Sequence, residues 1–270
     1  MKLITTLTQT NSEHPPLVLL HGLGSAATIF KSIIPKLSQN FRVITVDLPG
    51  HGQTSLDKAQ AMDPKSLGNT VFDSVENEYG ISRFHVAGCS LGGWIALEMA
   101  AQQPERIVNL TGLAPAGLWL FPATGRKASE AIPYYLARLL KPVIKVGLRF
   151  KILRKVVFSS VSPQWNQLSY ETCYDASIAM VQASGYFQLW DGMITRRFDS
   201  KVAESTPVTI LFGDRDNTLP AQSSQERSLA PAHCTWLVIE SCGHAPMWDH
   251  PELIVKIISQ AIPRNVPEPE

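Results

Sequence analysis

One serine of this chain stands between glycines at the point where an apolar run passes directly into a helical pattern. The run 84–87 (FHVA) leads into residues 88–93 (GCSLGG), and a helical stretch follows from Trp94. A serine on so tight a turn projects its hydroxyl above the sheet, and glycines two residues before and after it leave room for strand and helix. The GxSxG pattern alone occurs by chance in many proteins. In this strand-to-helix context it predicts that Ser90 is a nucleophile.

Short apolar runs alternate with helical patterns along much of the chain. The sequence has six such runs, at residues 17–20, 41–46, 84–87, 107–111, 208–212 and 235–239. Runs that are apolar throughout indicate strands covered on both faces. A helix is predicted from Pro64 to residue 79, because Asp63 can cap it and Gly80 can end it, and a last amphipathic helix is predicted over 251–261. These patterns predict an α/β fold with a mostly parallel central sheet and helices on both faces.

The strand rhythm stops after residue 112 and resumes at Val208. The stretch between them has many helical spacings and most of the aromatic residues of the chain, which indicates an inserted, mostly helical unit. We therefore predict a first core segment (1–117), a helical cap or lid (118–203) and a second core segment (204–270).

Composition and charge exclude several classes of protein. Hydrophobic residues make up 44% of the 270 residues, and 24 Lys and Arg nearly balance 23 Asp and Glu, which is typical of a globular protein and indicates no nucleic-acid partner. The N-terminus lacks the apolar run of a secretory signal, and no stretch reaches the roughly 18 apolar residues of a membrane span. The four cysteines form no CxxC pair and no metal-ligand spacing. We therefore expect a cytoplasmic protein with reduced thiols and no metal site.

A nucleophilic serine needs a general base, and the base needs an acid that orients it. Among seven histidines, only His244 follows a late strand in a loop of small residues, so we predict that His244 is the base. Two candidate acids, Asp214 and Asp216, follow the preceding strand. A serine, a histidine and an acid need no metal or organic cofactor for acyl transfer.

An oxyanion hole needs backbone N–H donors close to the serine. The residue after a nucleophile on this kind of turn supplies one donor, and here that residue is Leu91. The segment 19–24 (LLHGLG) ends the first clear strand and opens a loop before a helix. We expect the second donor in this loop and predict Leu23.

Five short motifs occur along the chain in a set order. They are His21-Gly22, residues 47–52 (DLPGHG), residues 88–93, Gly213-x-x-Asp216 with Pro220, and Cys242-Gly243-His244 with Pro246. Over essentially its whole length the chain resembles the α/β-hydrolase superfamily, of the short, capped kind that includes many bacterial esterases, lactonases and C–C bond hydrolases. The resemblance implies that the acid is the residue three after Gly213, which favours Asp216 over Asp214. Ser90 lies at the tip of the strand-to-helix turn 88–93, which we call the elbow. A serine at this position sets the chain apart from members of the superfamily with an aspartate nucleophile.

Several residues near the predicted site have an ordinary structural interpretation. His21 and His51 lie in glycine turns and are expected to make structural hydrogen bonds, and Asp47 is expected to anchor its turn. Cys89 stands beside the nucleophile, but the elbow tip is Ser90, so we interpret Cys89 as a packing residue. Only about 16 residues precede the first clear strand, so the pair of antiparallel strands that usually opens this fold is shortened to about one.

The predicted cap carries an unusual run of charge. Between Glu130 and Glu171 there are seven basic residues and no acidic one, and they are interleaved with apolar residues over 138–155. A basic amphipathic segment can lie on an anionic membrane surface or meet an anionic substrate, although a cap whose lysines merely keep it soluble is the more common arrangement. Aromatic residues in and after the cap favour a small hydrophobic substrate. The residues predicted to line the substrate pocket are Trp119, Trp190 and Trp248.

These features together predict a serine hydrolase that acts on a small hydrophobic ester, thioester or lactone through an acyl-enzyme. Cleavage of a C–C bond in a ring-fission product uses the same residue set, but the early loop 22–26 (GLGSA) lacks the Gly-Pro-Gly run that such enzymes usually carry. The sequence is also compatible with a lipase or acyltransferase that works at a membrane surface, and with a non-catalytic ligand receptor.

Overall fold

A computed structural model describes residues 2–8, 13–125 and 131–260 of the chain. Within these ranges one sheet is formed by β1 (Ile4–Leu7), β2 (Pro16–Leu20), β3 (Arg42–Asp47), β4 (Phe84–Cys89), β5 (Ile107–Leu113), β6 (Val208–Gly213) and β7 (Thr235–Ile239). The strand order is β1-β3-β2-β4-β5-β6-β7, with β1 antiparallel to β3 and every other neighbouring pair parallel. The predicted α/β fold with a mostly parallel sheet is confirmed, and each predicted strand lies within two residues of its expected ends.

The sheet has a buried core on each face, which explains why a central strand such as β2 is apolar throughout. Along β2, Leu17 and Leu19 belong to one core while Val18 and Leu20 belong to the other, because successive side chains of a strand point to opposite faces. All four side chains are buried. A strand with only one covered face would alternate with polar residues instead.

Helices connect the strands and cover both faces. They are α1 (Ile34–Leu37), α2 (Pro64–Tyr79), α3 (Leu91–Gln102), α4 (Ile132–Leu140), α5 (Ile144–Gly147), α6 (Lys151–Phe158), α7 (Tyr170–Gln182), α8 (Tyr186–Ile194), α9 (Ala221–Ser224), α10 (Pro246–Asp249) and α11 (Pro251–Gln260). Short 3-10 turns occur at Ala27–Phe30, Pro104–Arg106, Lys141–Val143 and Arg227–Leu229. As the sequence predicts, the Asp63 carboxylate caps α2 by accepting the Ser66 backbone N–H, and Gly80 ends the helix with φ of 66°. The predicted end of the last helix at Ala261 lies outside the described residues.

Helices α4 to α8 lie between β5 and β6, in the stretch 118–203 that the sequence assigns to a cap. We call this stretch the insert; its exact bounds stay a prediction. Side chains of α4 to α7 enclose a small core of their own, in which Phe158 and Cys173 are buried. In the described part of the chain, no helix is both long and apolar enough to cross a lipid bilayer.

Candidate active site

The carboxyl ends of β4, β6 and β7 lie at the same edge of the sheet because these strands run parallel. Ser90 follows β4, Asp216 follows β6 and His244 follows β7. Ser90 adopts φ of 54° and ψ of −118°, a backbone conformation that residues other than glycine rarely take. Its carbonyl oxygen accepts hydrogen bonds from the backbone N–H groups of Trp94 and Ala116, which hold the strained turn.

Glycines leave the space that this turn needs. A Cβ atom on Gly88 would lie 2.2 Å from the backbone oxygen of Gly92, and a Cβ atom on Gly92 would lie 2.2 Å from the backbone oxygen of Leu20. No side chain fits at either position. The glycines of the GxSxG pattern are therefore required by close packing of β4, β2 and α3 as well as by the turn.

Asp216 and His244 are hydrogen-bonded to each other across two neighbouring loops. His244 Nδ1 lies 2.8 Å from Asp216 Oδ2, and Asp216 Oδ1 accepts hydrogen bonds from the backbone N–H groups of Thr218 and Leu219 at 2.9 and 2.8 Å. The Asp216 side chain is fully buried, and that of His244 is 12% exposed. The carboxylate is held by its own loop, and it favours the ring tautomer that carries the proton on Nδ1 and leaves Nε2 free to act as a base.

The other candidate acid, Asp214, has a different contact. Its Oδ1 atom accepts a hydrogen bond from the Cys242 backbone N–H at 3.1 Å. The Arg215 backbone N–H donates to the Cys242 carbonyl oxygen at 2.9 Å. These bonds join the acid loop to the histidine loop, so Asp214 ties the two loops together while Asp216 contacts the ring.

The serine turn touches the histidine loop through Cys89. Its Sγ atom lies 3.8 Å from the backbone oxygen of His244, so Ser90, the next residue, stands beside this loop. Burial, together with the charge of Asp216, raises the pKa of the Cys89 thiol to about 12, which keeps the thiol protonated and unreactive. In the described chain no hydrogen bond joins the side chains of Ser90 and His244; bonds of this kind often form only once substrate is bound.

The loop after β2 lies directly against the serine. A Cβ atom on Gly22 would stand 3.0 Å from Ser90 Cβ and 3.6 Å from Ser90 Oγ. Among the described residues, the backbone N–H groups of Leu23 and Leu91 donate to no acceptor. Leu91 is the first residue of α3, where an N–H group has no partner within the helix. Neither N–H group is occupied within the described residues, and the role of Leu23 and Leu91 as oxyanion donors stays a prediction.

Two buried histidines hold the loops around the site. His21 Nε2 accepts the Leu48 backbone N–H at 3.0 Å, and His51 Nε2 accepts the Gly24 backbone N–H at 3.0 Å. The Nδ1 atom of each ring faces a backbone carbonyl oxygen, at 2.7 and 3.0 Å, so each ring is satisfied when neutral. Burial lowers the pKa of His21 to about 4 and that of His51 to about 3. The structural role expected for both rings is confirmed.

We expect these two rings to make the fold less stable in mild acid. The unfolded chain takes up a proton on each histidine near pH 6.5, whereas the folded chain does so only at the lowered pKa. Stability is therefore fully present above about pH 6.5 and falls as the pH drops toward 4. The free energy of unfolding, measured with urea, is expected to fall by about 2 kcal/mol for each ring between pH 7 and pH 5.

Replacement of single histidines separates this effect from the titration of other groups. The His51→Gln variant is expected to lose about a third of the pH dependence that comes from buried histidines, because burial lowers the pKa of His85 to about 4 as well and one of three such rings is then absent. The His233→Gln variant removes an exposed ring and is expected to keep the full dependence. A wild-type protein that is as stable at pH 5 as at pH 7 would contradict the prediction.

Asp47 anchors the turn that follows β3, as its sequence context predicts. One carboxylate oxygen accepts the Ala27 backbone N–H at 2.8 Å, and the other accepts the Gln53 backbone N–H at 3.0 Å. Gly52 has φ of 52° and leaves no room for a Cβ atom, which would lie 2.2 Å from this carboxylate. The turn is thus fixed around the acid.

The insert holds the histidine loop directly, a contact that the sequence did not reveal. The His244 backbone N–H donates to the Val161 carbonyl oxygen at 2.7 Å. The buried Asp249 carboxylate accepts hydrogen bonds from the Ser162 hydroxyl and from the Gly243 backbone N–H, and burial raises the pKa of this carboxyl. Ser162 and Asp249 are 87 residues apart, so no local pattern could have paired them.

The three tryptophans predicted to line the pocket lie in different surroundings. Trp119 packs edge-on against another tryptophan of the main core, with ring centroids 5.5 Å apart. Trp190 packs against Tyr186 in an aromatic cluster that Leu23 also contacts. Trp248 donates its indole N–H to a backbone carbonyl at 3.2 Å. Trp190 shares a cluster with Leu23, and Trp119 lies in the main core that also contains Leu91. A pocket-lining role for all three tryptophans stays a prediction.

The cysteines and acids offer no metal-binding arrangement in the described ranges. No group of three or more His, Cys, Asp or Glu side chains there is placed to hold a metal ion. Cys89, Cys173 and Cys242 are buried free thiols. Burial raises the pKa of each of these thiols, so they contribute packing in the reduced form.

Comparison with known proteins identifies similar sequences and structures. A model of the alpha/beta hydrolase family matches residues 17–257. A pimeloyl-[acyl-carrier protein] methyl ester esterase of Nitrosomonas europaea is 26% identical over 253 residues, which cover 92% of this chain and 95% of that protein. The human monoacylglycerol lipase ABHD6 is 23% identical over 262 residues, which cover 90% of this chain and 74% of that protein. A thermophilic esterase from Thermogutta terrifontis has a similar structure, with a TM-score of 0.70 at 20% identity over 96% of this chain and 92% of that one.

Proposed function

The chain belongs to the alpha/beta hydrolase family, and we propose that it is a serine hydrolase for small hydrophobic esters, thioesters or lactones. The observation that carries this proposal is the hydrogen-bonded pair of Asp216 and His244 beside the strained turn of Ser90, at the carboxyl edge of one parallel sheet. Relatives named as an esterase and a lipase support hydrolase chemistry.

In this proposal each residue has one role. The Ser90 oxygen attacks the substrate carbonyl while His244 Nε2 takes the hydroxyl proton, and Asp216 orients the ring and stabilises its charged form. The N–H groups of Leu23 and Leu91 hold the oxygen that becomes negative. His244 then gives the proton to the leaving group, and an acyl-enzyme remains on Ser90. Water activated by the same histidine releases the acid.

The side chains next to the candidate oxyanion loop support the proposed substrate class. A Cβ atom on Gly24 would lie 2.6 Å from Met180 Cε and 2.9 Å from a ring carbon of Tyr186. Tyr186 stacks on Tyr134 with ring centroids 4.9 Å apart. An acyl or alcohol group bound beside Leu23 would contact a thioether and aromatic rings, which favours an apolar group over a charged one.

Hydrolysis of p-nitrophenyl esters of increasing acyl length, from acetate to palmitate, tests this function. We expect many turnovers per enzyme molecule and an optimum in kcat/KM at one acyl length, because a pocket of fixed size rejects longer chains. Beyond the optimum, kcat/KM is expected to fall roughly tenfold or more as the chain outgrows the pocket.

Two different results would each favour another function. Release of at most one equivalent of p-nitrophenol contradicts catalysis and favours a ligand receptor. The absence of ester turnover, together with covalent labelling of Ser90 by a fluorophosphonate, contradicts the ester assignment and favours C–C bond cleavage with the same residues.

A further inference from the structure

The outer surface of the insert exposes large apolar side chains to solvent. We define this surface as the solvent-facing side of residues 132–157, which include α4, α5 and α6. The exposed fraction of the side chain reaches 75% at Leu139, 72% at Ile152 and 70% at Val156. More than half is also exposed at Ile132, Tyr135, Val143, Val146 and Phe150. Isolated exposed apolar side chains are ordinary, but so dense a set over 26 residues marks an interaction surface.

On α5 and α6 these side chains lie away from the insert's own core. Ile144, Leu148 and Phe158 point inward and form a small core with Cys173 and Val181 of α7. Because the inner faces of α5 and α6 meet α7 in that core, the opposite faces point away from it. The exposed apolar residues at Ile152 and Val156 are four positions apart, so they form one stripe on α6.

The same surface is strongly basic. Its segment has no acidic residue and contains Arg138, Lys141, Lys145, Arg149, Lys151, Arg154 and Lys155. Six of these are exposed, and Arg154 is half-buried. Among the described residues, none of the seven forms an ion pair. Since the whole chain has 24 basic and 23 acidic residues, the remaining surface is net acidic, and the positive charge is concentrated here.

An open cavity beside this surface is lined by two arginines. It has a volume of about 340 Å³ and is lined by Leu148, Arg149, Arg154 and Tyr170. Arg154 donates one hydrogen bond to the Leu168 carbonyl oxygen at 3.3 Å, while its buried Nε atom has no hydrogen-bond partner in the described structure. Two arginines and no carboxylate line the cavity, which gives it the charge and the hydrogen-bond donors that suit a phosphate.

We propose that the outer surface of the insert docks on a membrane of anionic phospholipids, with a headgroup phosphate in the cavity between Arg149 and Arg154. Apolar side chains between lysines and arginines are what an interfacial segment needs: the apolar groups enter the acyl boundary, and the cations neutralise the headgroups. An acidic protein would match the charge but not the projecting Leu139, Ile152 and Val156. A second copy of the chain, paired symmetrically through the same surface, would bring like charges together.

Flotation of the full chain with lipid vesicles tests the proposal. We expect wild type to bind vesicles of phosphatidylcholine mixed with phosphatidylglycerol and to bind pure phosphatidylcholine much less. Binding is expected to weaken between about 0.1 M and about 1 M salt, because the screening length falls from about 10 Å to about 3 Å. Binding does not depend on hydrolysis, so Ser90→Ala is expected to bind vesicles like wild type. A wild-type protein that does not bind vesicles would contradict membrane docking but not the proposed hydrolase function.

Matched variants separate docking by this surface from general adsorption. Lys151→Glu with Lys155→Glu is expected to lower the vesicle partition coefficient at least about 30-fold, whereas Lys58→Glu with Lys201→Glu, which reverses two exposed lysines elsewhere, is expected to lower it far less. Val156→Ser is expected to lower it about fivefold, and Val238→Ser, at a side chain 60% exposed on β7, is expected to leave it unchanged. Turnover of a soluble ester should stay within about twofold in all four.

Three results would overturn the proposal. One is the absence of wild-type binding to anionic vesicles at low salt. Another is an equal loss of binding in the insert variants and in their matched controls. The third is a concentration-dependent dimer, seen by analytical ultracentrifugation without lipid, that Val156→Ser abolishes, since the surface would then pair with a second copy of the chain.

Discussion

The Ser90→Ala variant is expected to lose ester hydrolysis by about 10⁴- to 10⁶-fold in kcat while the protein stays folded. Removal of the hydroxyl removes the proposed nucleophile, and the remaining rate is expected to come from binding and from the oxyanion donors alone. The substitution is small, and Ala retains the Cβ atom that packs beside Gly22. The measurement is kcat for the preferred p-nitrophenyl ester, with circular dichroism as a check of folding.

The neighbouring thiol provides the matched control for this prediction. Cys89→Ala is expected to keep kcat within about threefold, because the buried Cys89 thiol, whose pKa is raised to about 12, is protonated at neutral pH. A Cys89→Ala variant that loses activity while Ser90→Ala keeps it would show that the thiol is the nucleophile and would contradict the serine assignment.

Asp216→Asn is expected to lower kcat by about 10⁴-fold at neutral pH. The amide group would face His244 Nδ1, which now lies 2.8 Å from a carboxylate oxygen. An amide N–H there favours the wrong ring tautomer, in which Nε2 carries the proton and cannot accept another from Ser90. The amide also fails to stabilise the charged ring that forms during the reaction. The change is measured as kcat across pH 6 to 9 with the same ester.

Asp214→Asn serves as the control, because Asp214 is the other acid of this loop and contacts the Cys242 backbone instead of the ring. It is expected to lower kcat less than about tenfold, through looser contact between the acid and histidine loops. A larger loss in Asp214→Asn than in Asp216→Asn would exchange the roles of the two acids.

Local patterns at strand ends predict most of this fold and the serine and histidine of the candidate site, while the choice of Asp216 over Asp214 comes from the family resemblance. Uninterrupted apolar runs locate the parallel strands because both faces of the sheet are covered, as at Leu17 to Leu20 on β2. Glycine spacing locates the elbow because a side chain at Gly88 or Gly92 would collide with backbone. Both features depend on residues that are close together in the chain, so they can be recognised from the sequence alone.

Contacts that join distant segments could not be predicted in this way. The Glu98 carboxylate, buried on α3, accepts hydrogen bonds from Trp94 Nε1 and from the Ser200 hydroxyl 102 residues away. The hydrogen bond between Ser162 and Asp249 likewise depends on how the insert packs against the histidine loop. Neither pair has a spacing that repeats or a motif that identifies it, because each partner is chosen by the tertiary fold.

Labelling with a fluorophosphonate probe, followed by mass spectrometry of the intact protein and of its peptides, tests the identity of the nucleophile most directly. We predict one equivalent of label, carried by the peptide that contains Ser90, and a much slower reaction in His244→Ala because the hydroxyl then has no base. Label on any other residue, or a folded protein that takes up no label, would contradict the assignment of Ser90, Asp216 and His244.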